Sequence, residues 1–258
     1  MESHFSKEQF DSNYPDGIED HFWSLARSRI LAKELRKIIK PGSVVLDVGC
    51  GRGVVVKYLR NNGINCSGIE PAKARPLAGI GKHIRFGKSA AELTRYERSR
   101  YDIILLLDVI EHIREPISFL RALMNSFPNL AYVIITVPAC PELWSKYDEF
   151  YGHHRRYTAE MIQDLAIQLG VELAWRGYFF HALYIPMRIL SGIRCRTSVR
   201  QTRAPHGILK WVHKLLSHGF VCEHGLLPGN VPGTSIIAVF ALGKHAATDQ
   251  DILFSSSD

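Results

Sequence analysis

Apolar positions along the chain fall into short continuous runs that alternate with stretches of helical period. From Ile18 to Ile39 the spacing of Phe22, Leu25, Ile30, Leu31, Leu35 and Ile38 predicts an amphipathic helix, ended by Pro41-Gly42. The residues before about Pro15 read as a loosely held arm. Val44–Val48 reads as a strand, Val54–Asn62 as a helix closed by Gly63, Asn65–Ile69 as a second strand and His83–Phe86 as a weaker third. Tyr101–Leu107 and Tyr132–Val137 are unbroken apolar runs, the pattern of strands covered on both faces. Between them a helix is predicted over 115–126, with Pro116 in the tolerated first turn. After Pro138 comes an aromatic and basic loop, Trp144 to Tyr157, and then Thr158 as N-cap of a helix to about Gly170. A strand over 171–179, two apolar and basic helical stretches within 183–218, and a last strand from Thr234 to Ala241 complete the pattern.

Strands alternating with helices imply a parallel sheet with right-handed crossovers. Ligands of such open sheets bind beyond the carboxyl ends of the strands. That rule lines up Asp47, Gly49, Glu70, Asp108 and Pro138 along one cleft.

Composition changes this picture little. The 258 residues, 46% hydrophobic and 22% charged, suit one globular α/β unit with elaborations. Met1-Glu2-Ser3-His4 leads into polar sequence, and the apolar stretch over 177–193 is interrupted by His181, Pro186 and Arg188. Neither a secretory leader nor a spanning helix is expected, which points to a cytoplasmic protein, membrane-peripheral at most. Five cysteines (Cys50, Cys66, Cys140, Cys195, Cys222) form no C-x-x-C pair and read as reduced thiols rather than disulfide or zinc ligands. The net charge of +7 is unevenly spread. Between Glu172 and Glu223 there is no acidic residue, against Arg176, Arg188, Arg194, Arg196, Arg200, Arg203, Lys210 and Lys214. This is either a solvated basic face or a surface for phosphate: an anionic membrane, a phosphorylated substrate or nucleic acid.

The chemistry concentrates in Asp47-Val48-Gly49-Cys50-Gly51-Arg52-Gly53. A phosphate-cradling loop would need a Gly-Lys-Ser/Thr ending, which is absent. The dinucleotide fingerprint G-x-G-x-x-G fails in both registers, because Val54 and Val56 occupy the last position. What remains is a G-x-G-x-G loop after a carboxylate-ended strand, where Asp47 orders the loop and can meet an ammonium group.

With Glu70 23 positions later at a strand end, this loop resembles that of class I S-adenosylmethionine-dependent methyltransferases, over roughly residues 20 to 243. Asp108-Val109-Ile110-Glu111-His112 resembles the D-V-x-E-H signature of that family's small-molecule branch. The resemblance implies a Rossmann-like, doubly wound, mostly parallel seven-stranded sheet with an antiparallel last strand. It divides the chain into an arm and cofactor-covering helix (1–40), a catalytic domain (41–243) with a helical insertion (183–230), and a polar tail (244–258). It implies S-adenosylmethionine as cofactor, leaving S-adenosylhomocysteine. Asp47, Gly49, Cys50, Gly51 and Gly53 would form the cofactor loop, Glu70 would hold the ribose diol and Pro71 would line the adenine. Ser89 and Ala90 are the candidates for the adenine amine, and Asp108 and Val109 would flank the methionine part. Trp23 and Arg27, four apart on one helical face, would exclude water and bind the methionine carboxylate.

The acceptor side is read from the loop Trp144–Tyr157. Histidines, arginines and tyrosines crowd it where a plain connection would carry turn residues. Trp144, Tyr147, Arg155, Arg156 and Tyr157 are candidate substrate contacts, and His153, His154 and then His112 are candidate general bases. Glu111 reads as packing at a loop-to-helix junction. Metal binding by His153 and His154 is not expected, because adjacent histidines ligate poorly together. The function expected is methyl transfer to O or N of a small-molecule, glycan or lipid-linked acceptor, with Arg155 or Arg156 available to an anionic one. RNA methylation and a catalytically silent cofactor-binding regulator are the alternatives. The basic insertion suits peripheral membrane contact through 183–218 or a homodimer face.

Overall fold

The computed structural model describes residues 6–192 and 203–243. In chain order the main elements are α1 (Lys7–Asn13), α2 (Phe22–Ile38), β1 (Val45–Val48), α3 (Val54–Asn61), β2 (Cys66–Glu70), β3 (Ile84–Phe86), α4 (Arg95–Arg98) and β4 (Ile103–Leu107). Then follow α5 (Pro116–Ser126), β5 (Tyr132–Pro138), α6 (Lys146–Phe150), α7 (Ala159–Leu169), β6 (Glu172–Phe179), α8 (Tyr184–Gly192), α9 (Leu209–Leu226) and β7 (Ser235–Ala241). The strands form one sheet in the order β3-β2-β1-β4-β5-β7-β6. Only β7 runs antiparallel, to both β5 and β6. The order reverses between β1 and β4, which pair side by side, and this switch point opens a crevice at their carboxyl ends.

Two apolar layers cover the sheet. Because strand side chains alternate, Ile104 and Leu106 of β4 join the layer under α5 and α7, while Ile103, Leu105 and Leu107 join the one under α2 and α3. The unbroken apolar run predicted for β4 is therefore buried on both faces.

The N-terminal arm differs from expectation. It holds α1, capped reciprocally: Ser6 Oγ accepts from Gln9 N at 3.1 Å, and Gln9 Oε1 accepts from Ser6 N at 2.7 Å. The single helix predicted from Ile18 is split at His21, which follows a 3₁₀ turn (Ile18–Asp20) and caps α2 by accepting from Trp23 N at 3.3 Å. The insertion also divides. Helix α8 reaches the cleft through Met187, whereas α9 lies along α2. There Phe220 stacks on Phe22 with centroids 5.6 Å apart, His213 Nδ1 accepts from Phe22 N at 3.1 Å, and Arg29 bonds Ser217. The expected polar tail, with Arg194, Cys195, Arg196 and Arg200 of the basic segment, lies outside the described residues.

Candidate active site

At the switch point the glycine loop leaves β1 and turns into α3. Gly49 and Gly51 both have positive φ, and the space beside each is taken. A Cβ on Gly49 would lie 2.9 Å from Val109 Cγ2, and one on Gly51 would lie 2.3 Å from the ring of Tyr14. Arg52 ties that cover down by donating to Tyr14 O at 2.8 Å and to Asp16 at 2.7 Å. Glu70, at the end of β2, accepts from Gly51 N at 2.8 Å through one oxygen and from Ala72 N at 2.9 Å through the other. Each carboxylate oxygen keeps a second acceptor position. Burial raises the Glu70 pKa, against the pull of those two bonds. Asp47 lies behind the loop, 2% exposed, and its Oδ1 has no partner among the described residues. Burial pushes its pKa up to about 7, and the nearby Arg27 opposes the rise.

Asp108 follows β4 directly with φ +57, a costly conformation for a residue with a side chain. Two bonds to β5 hold it: its N–H donates to Thr136 O and its Oδ1 accepts from Thr136 Oγ1, both at 2.9 Å. Arg27 reaches it from α2 and forms an ion pair. Burial works against the Arg27 charge, but Asp108 and its neighbours outweigh it and keep the guanidinium protonated. Arg27 Nε remains buried without a partner among the described residues. Trp23, one turn earlier, stacks on Phe180 with centroids 4.0 Å apart.

A third group gathers around the turn after β4. Glu111 is fully buried, and neither carboxylate oxygen has a partner among the described residues. Burial, then Asp108, pushes its pKa well above the usual carboxylate range. His112 meets His153 edge to face, with ring centroids 4.6 Å apart. Burial, then His153, lowers the His112 pKa to about 3, so the ring is neutral near pH 7. Asp148 Oδ1 takes both His153 Nδ1 and Arg156 Nε at 2.9 Å. Burial opposes the Asp148 charge, but these two partners outweigh it and hold the pKa low.

Members of all three groups line one cavity of about 460 Å³, within the ~300–1,000 Å³ range of small-ligand sites. Of the expected cofactor residues, Trp23, Arg27, Gly49, Glu70, Pro71, Asp108 and Val109 line it. Asp47, Cys50, Gly51 and Gly53 do not; Asp47 is buried behind the loop, Gly51 is covered by Tyr14 and Gly53 by Ile80 and Ile84. Ser89 and Ala90 are also away from the cavity, because Ser89 is spent in a reciprocal cap with Glu92 and Ala90 is packed in the core. On the acceptor side Tyr147, Arg156, His112 and His153 line the cavity. Trp144, Arg155, Tyr157 and His154 do not. Arg155 donates to Arg114 O at 2.6 Å, Tyr157 is buried with its hydroxyl on Ile110 O at 3.2 Å, and the His154 side chain is exposed while its backbone N–H bonds Glu111 O. Arg156 reaches the wall, but its guanidinium bonds Asp148 and Ala139 O, a structural use rather than a free anion clamp. Tyr14, Thr136 and Asp148 are not among the residues the sequence singles out, and Glu111, packed as expected, is buried with neither oxygen partnered among the described residues.

The family model of the methyltransferase domain matches residues 19–174. The ubiquinone biosynthesis O-methyltransferase of Shewanella pealeana is 31% identical over 102 residues, 37% of this chain and 43% of that protein. Its counterpart in Pseudomonas aeruginosa is 32% identical over 89 residues, 31% of this chain and 38% of that protein. The chain thus matches less than half the length of these curated relatives. Among solved structures, the plantazolicin methyltransferase BamL, in complex with a triazolic desmethylPZN analog and SAH, superposes with TM-score 0.53 at 18% identity, covering 91% of this chain and 88% of that one. The Haemonchus contortus phosphoethanolamine N-methyltransferase 2, in complex with S-adenosyl-L-methionine, gives TM-score 0.53 at 16% identity, covering 93% and 60%. The family match over more than half the chain, joined to this sheet order, makes the protein a member of the methyltransferase domain family with the class I S-adenosylmethionine-dependent methyltransferase fold.

Proposed function

We propose that this protein transfers a methyl group from S-adenosylmethionine to a hydroxyl oxygen of a small-molecule acceptor. One observation carries the reading: Glu70 and the Glu111–His112–His153 cluster open into the same cavity. The donor supplies a methyl already activated on a sulfonium. The residues present fit it. Glu70 has acceptor positions to spare for the two ribose hydroxyls, Arg27 Nε is an unused buried donor for a carboxylate, and Asp47, buried behind the loop, would act on a cationic donor through its charge rather than by contact. Trp23 and Tyr14 exclude water over the loop. With a preactivated donor the protein's main work is alignment, which can supply roughly 7–11 kcal/mol. An oxygen acceptor, unlike an amine, needs its proton drawn off, and His153, with Asp148 behind it, gives that wall of the cavity a means to do so, whereas His112, its pKa lowered to about 3, is too weak a base for the task. The O-methyltransferase relatives support the same choice. The RNA alternative has only net charge behind it, and the silent-regulator reading gains nothing from a cavity so lined.

Isothermal titration calorimetry with S-adenosylmethionine, followed by a labelled-methyl screen of acceptor pools, tests this directly. Heat of binding and label in a hydroxyl-bearing small molecule are expected. A native chain that binds no S-adenosylmethionine would overturn the reading.

A lipid-linked or amphiphilic acceptor is favoured by one specific feature. On α9 the face opposite α2 is exposed and apolar: Trp211 is 70% and Leu215 73% exposed, with Ile208 and Val212 on the same stripe and Lys210 and Lys214 beside it. Ile185 and Ile189 of α8 are exposed as well. Apolar and basic side chains together suit the surface of an anionic bilayer. No described helix is long and apolar enough to cross a membrane. The protein is expected to float with vesicles containing phosphatidylserine, and a W211E/L215E variant to remain in the soluble fraction. Equal recovery of both proteins would remove the membrane reading.

A further inference from the structure

We propose that Glu111, His112 and His153 form a binding site for a divalent transition-metal ion, placed to hold the acceptor oxygen in its open coordination position. One ligand atom from each of the three lies within 4.8 Å of the other two, and all three residues line the cavity. Small side-chain rotations would close this set on an ion at the ~2.0–2.2 Å typical of nitrogen and carboxylate ligands.

The first independent observation is Glu111. A fully buried carboxylate with both oxygens unpartnered among the described residues is costly unless a proton or a cation compensates it. It sits where the cavity can deliver a cation. The second is the support behind His153. Asp148 accepts from Arg156 Nε and lies 2.9 Å from His153 Nδ1, so it fixes the ring from that side and Nε2 is the atom of His153 on offer to a ligand. A carboxylate fixing the far nitrogen of a histidine is the arrangement that orients metal-bound imidazoles. Hydrogen bonds to the backbone at Gly152 and Tyr151 position the His112 ring.

The donor set selects the ion class. Two imidazoles and one carboxylate suit Zn²⁺, Mn²⁺ or Fe²⁺, whereas Mg²⁺ and Ca²⁺ prefer all-oxygen shells. Three protein ligands leave a position for a water or a substrate oxygen, as in catalytic zinc sites. His153 and His154, as neighbours in sequence, are a poor ligand pair. The fold separates that pair and brings His153 to His112 instead. Binding of the ion stands on these three residues alone; its role in holding an acceptor hydroxyl rests on the methyl-transfer reading above.

The test uses the full chain, stripped with EDTA and dialysed, without donor or acceptor. Calorimetry with Zn²⁺ should show one site per chain, absent for Mg²⁺ at the same concentration, and Co²⁺ should give visible absorption of a low-coordinate nitrogen–oxygen site. Glu111→Leu should weaken Zn²⁺ at least tenfold and raise the metal-free melting temperature, since it removes a buried orphan carboxylate. His112→Ala and His153→Ala should each weaken Zn²⁺ comparably, and the exposed His154→Ala should not. No stoichiometric Zn²⁺ binding by the native chain, or undiminished binding by all three ligand variants, overturns the proposal. Because no S-adenosylmethionine is present, this outcome is separable from failure of the methyltransferase reading.

Discussion

Replacing Gly51 by aspartate is expected to lower S-adenosylmethionine affinity at least about 100-fold, roughly 2.7 kcal/mol. Three costs act together at this position. The backbone has φ +53, where a residue with a Cβ loses about 1–3 kcal/mol. The new Cβ would overlap the Tyr14 ring at 2.3 Å, so the segment that Arg52 clamps over the loop must lift. A new carboxylate would also stand beside Glu70, whose oxygen is 2.8 Å from Gly51 N, and like charges at the ribose-binding end repel. Gly63→Ala is the matched control. Gly63 also has positive φ (+79), but a Cβ there meets nothing within 4 Å and lies at the end of α3, outside the cavity. It should lose stability and keep the cofactor. Calorimetry on both variants, with circular dichroism to confirm folding, decides the matter; wild-type affinity in a folded Gly51→Asp protein would contradict the proposed site.

The parts legible in the sequence are those whose physics is local. The Ile103–Leu107 run, buried on both faces, could only be a central strand, and the glycine spacing after Asp47 left one register of ligand loop. Helix α7 announced its own start, because Thr158 accepts from Met161 N. What escaped depends on chain segments meeting from afar. Tyr14 gives no local sign that it will cover Gly51, 37 positions away, since the contact exists only after Arg52 folds the arm back. The loop Trp144–Tyr157 looked like a uniform substrate surface. Its polarity is divided instead: Arg156 and Asp148 turn inward to satisfy each other, Tyr157 caps the Ile110 carbonyl, and the His154 side chain is left outward. Buried polar groups must find partners, and that demand consumed residues that composition alone assigned to substrate. Glu111 escaped for the opposite reason. A glutamate at a helix entry is ordinary in sequence; that its carboxylate meets no partner among the described residues appears only in three dimensions.

Asp47→Asn should make the cofactor-free protein more stable at pH 8, by about 4 kcal/mol. In the folded chain burial lifts the Asp47 pKa to about 7, against about 3.9 for an unfolded aspartate. Below about pH 4 both states hold the proton. Between about pH 4 and 7 the unfolded chain has released it while the folded chain keeps it, so the folded state binds more protons and stability falls as pH rises. The loss is complete above the folded pKa, where both states are ionised and the folded one carries a poorly solvated charge. Asparagine has the same shape and no such titration, so its urea-unfolding free energy should lack this descent between pH 4.5 and 8. The same carboxylate predicts the opposite trend for the ligand. A cationic donor favours ionised Asp47, so native affinity for S-adenosylmethionine should weaken as pH drops below about 7, by up to about tenfold per pH unit, while that of Asp47→Asn stays flat. Parallel pH profiles for the two proteins, in unfolding and in binding, would show that Asp47 does not titrate against the cofactor. A buried charge that destabilises the empty fold and is relieved by a cationic ligand would make Asp47 part of the electrostatics of binding and not merely a residue of β1.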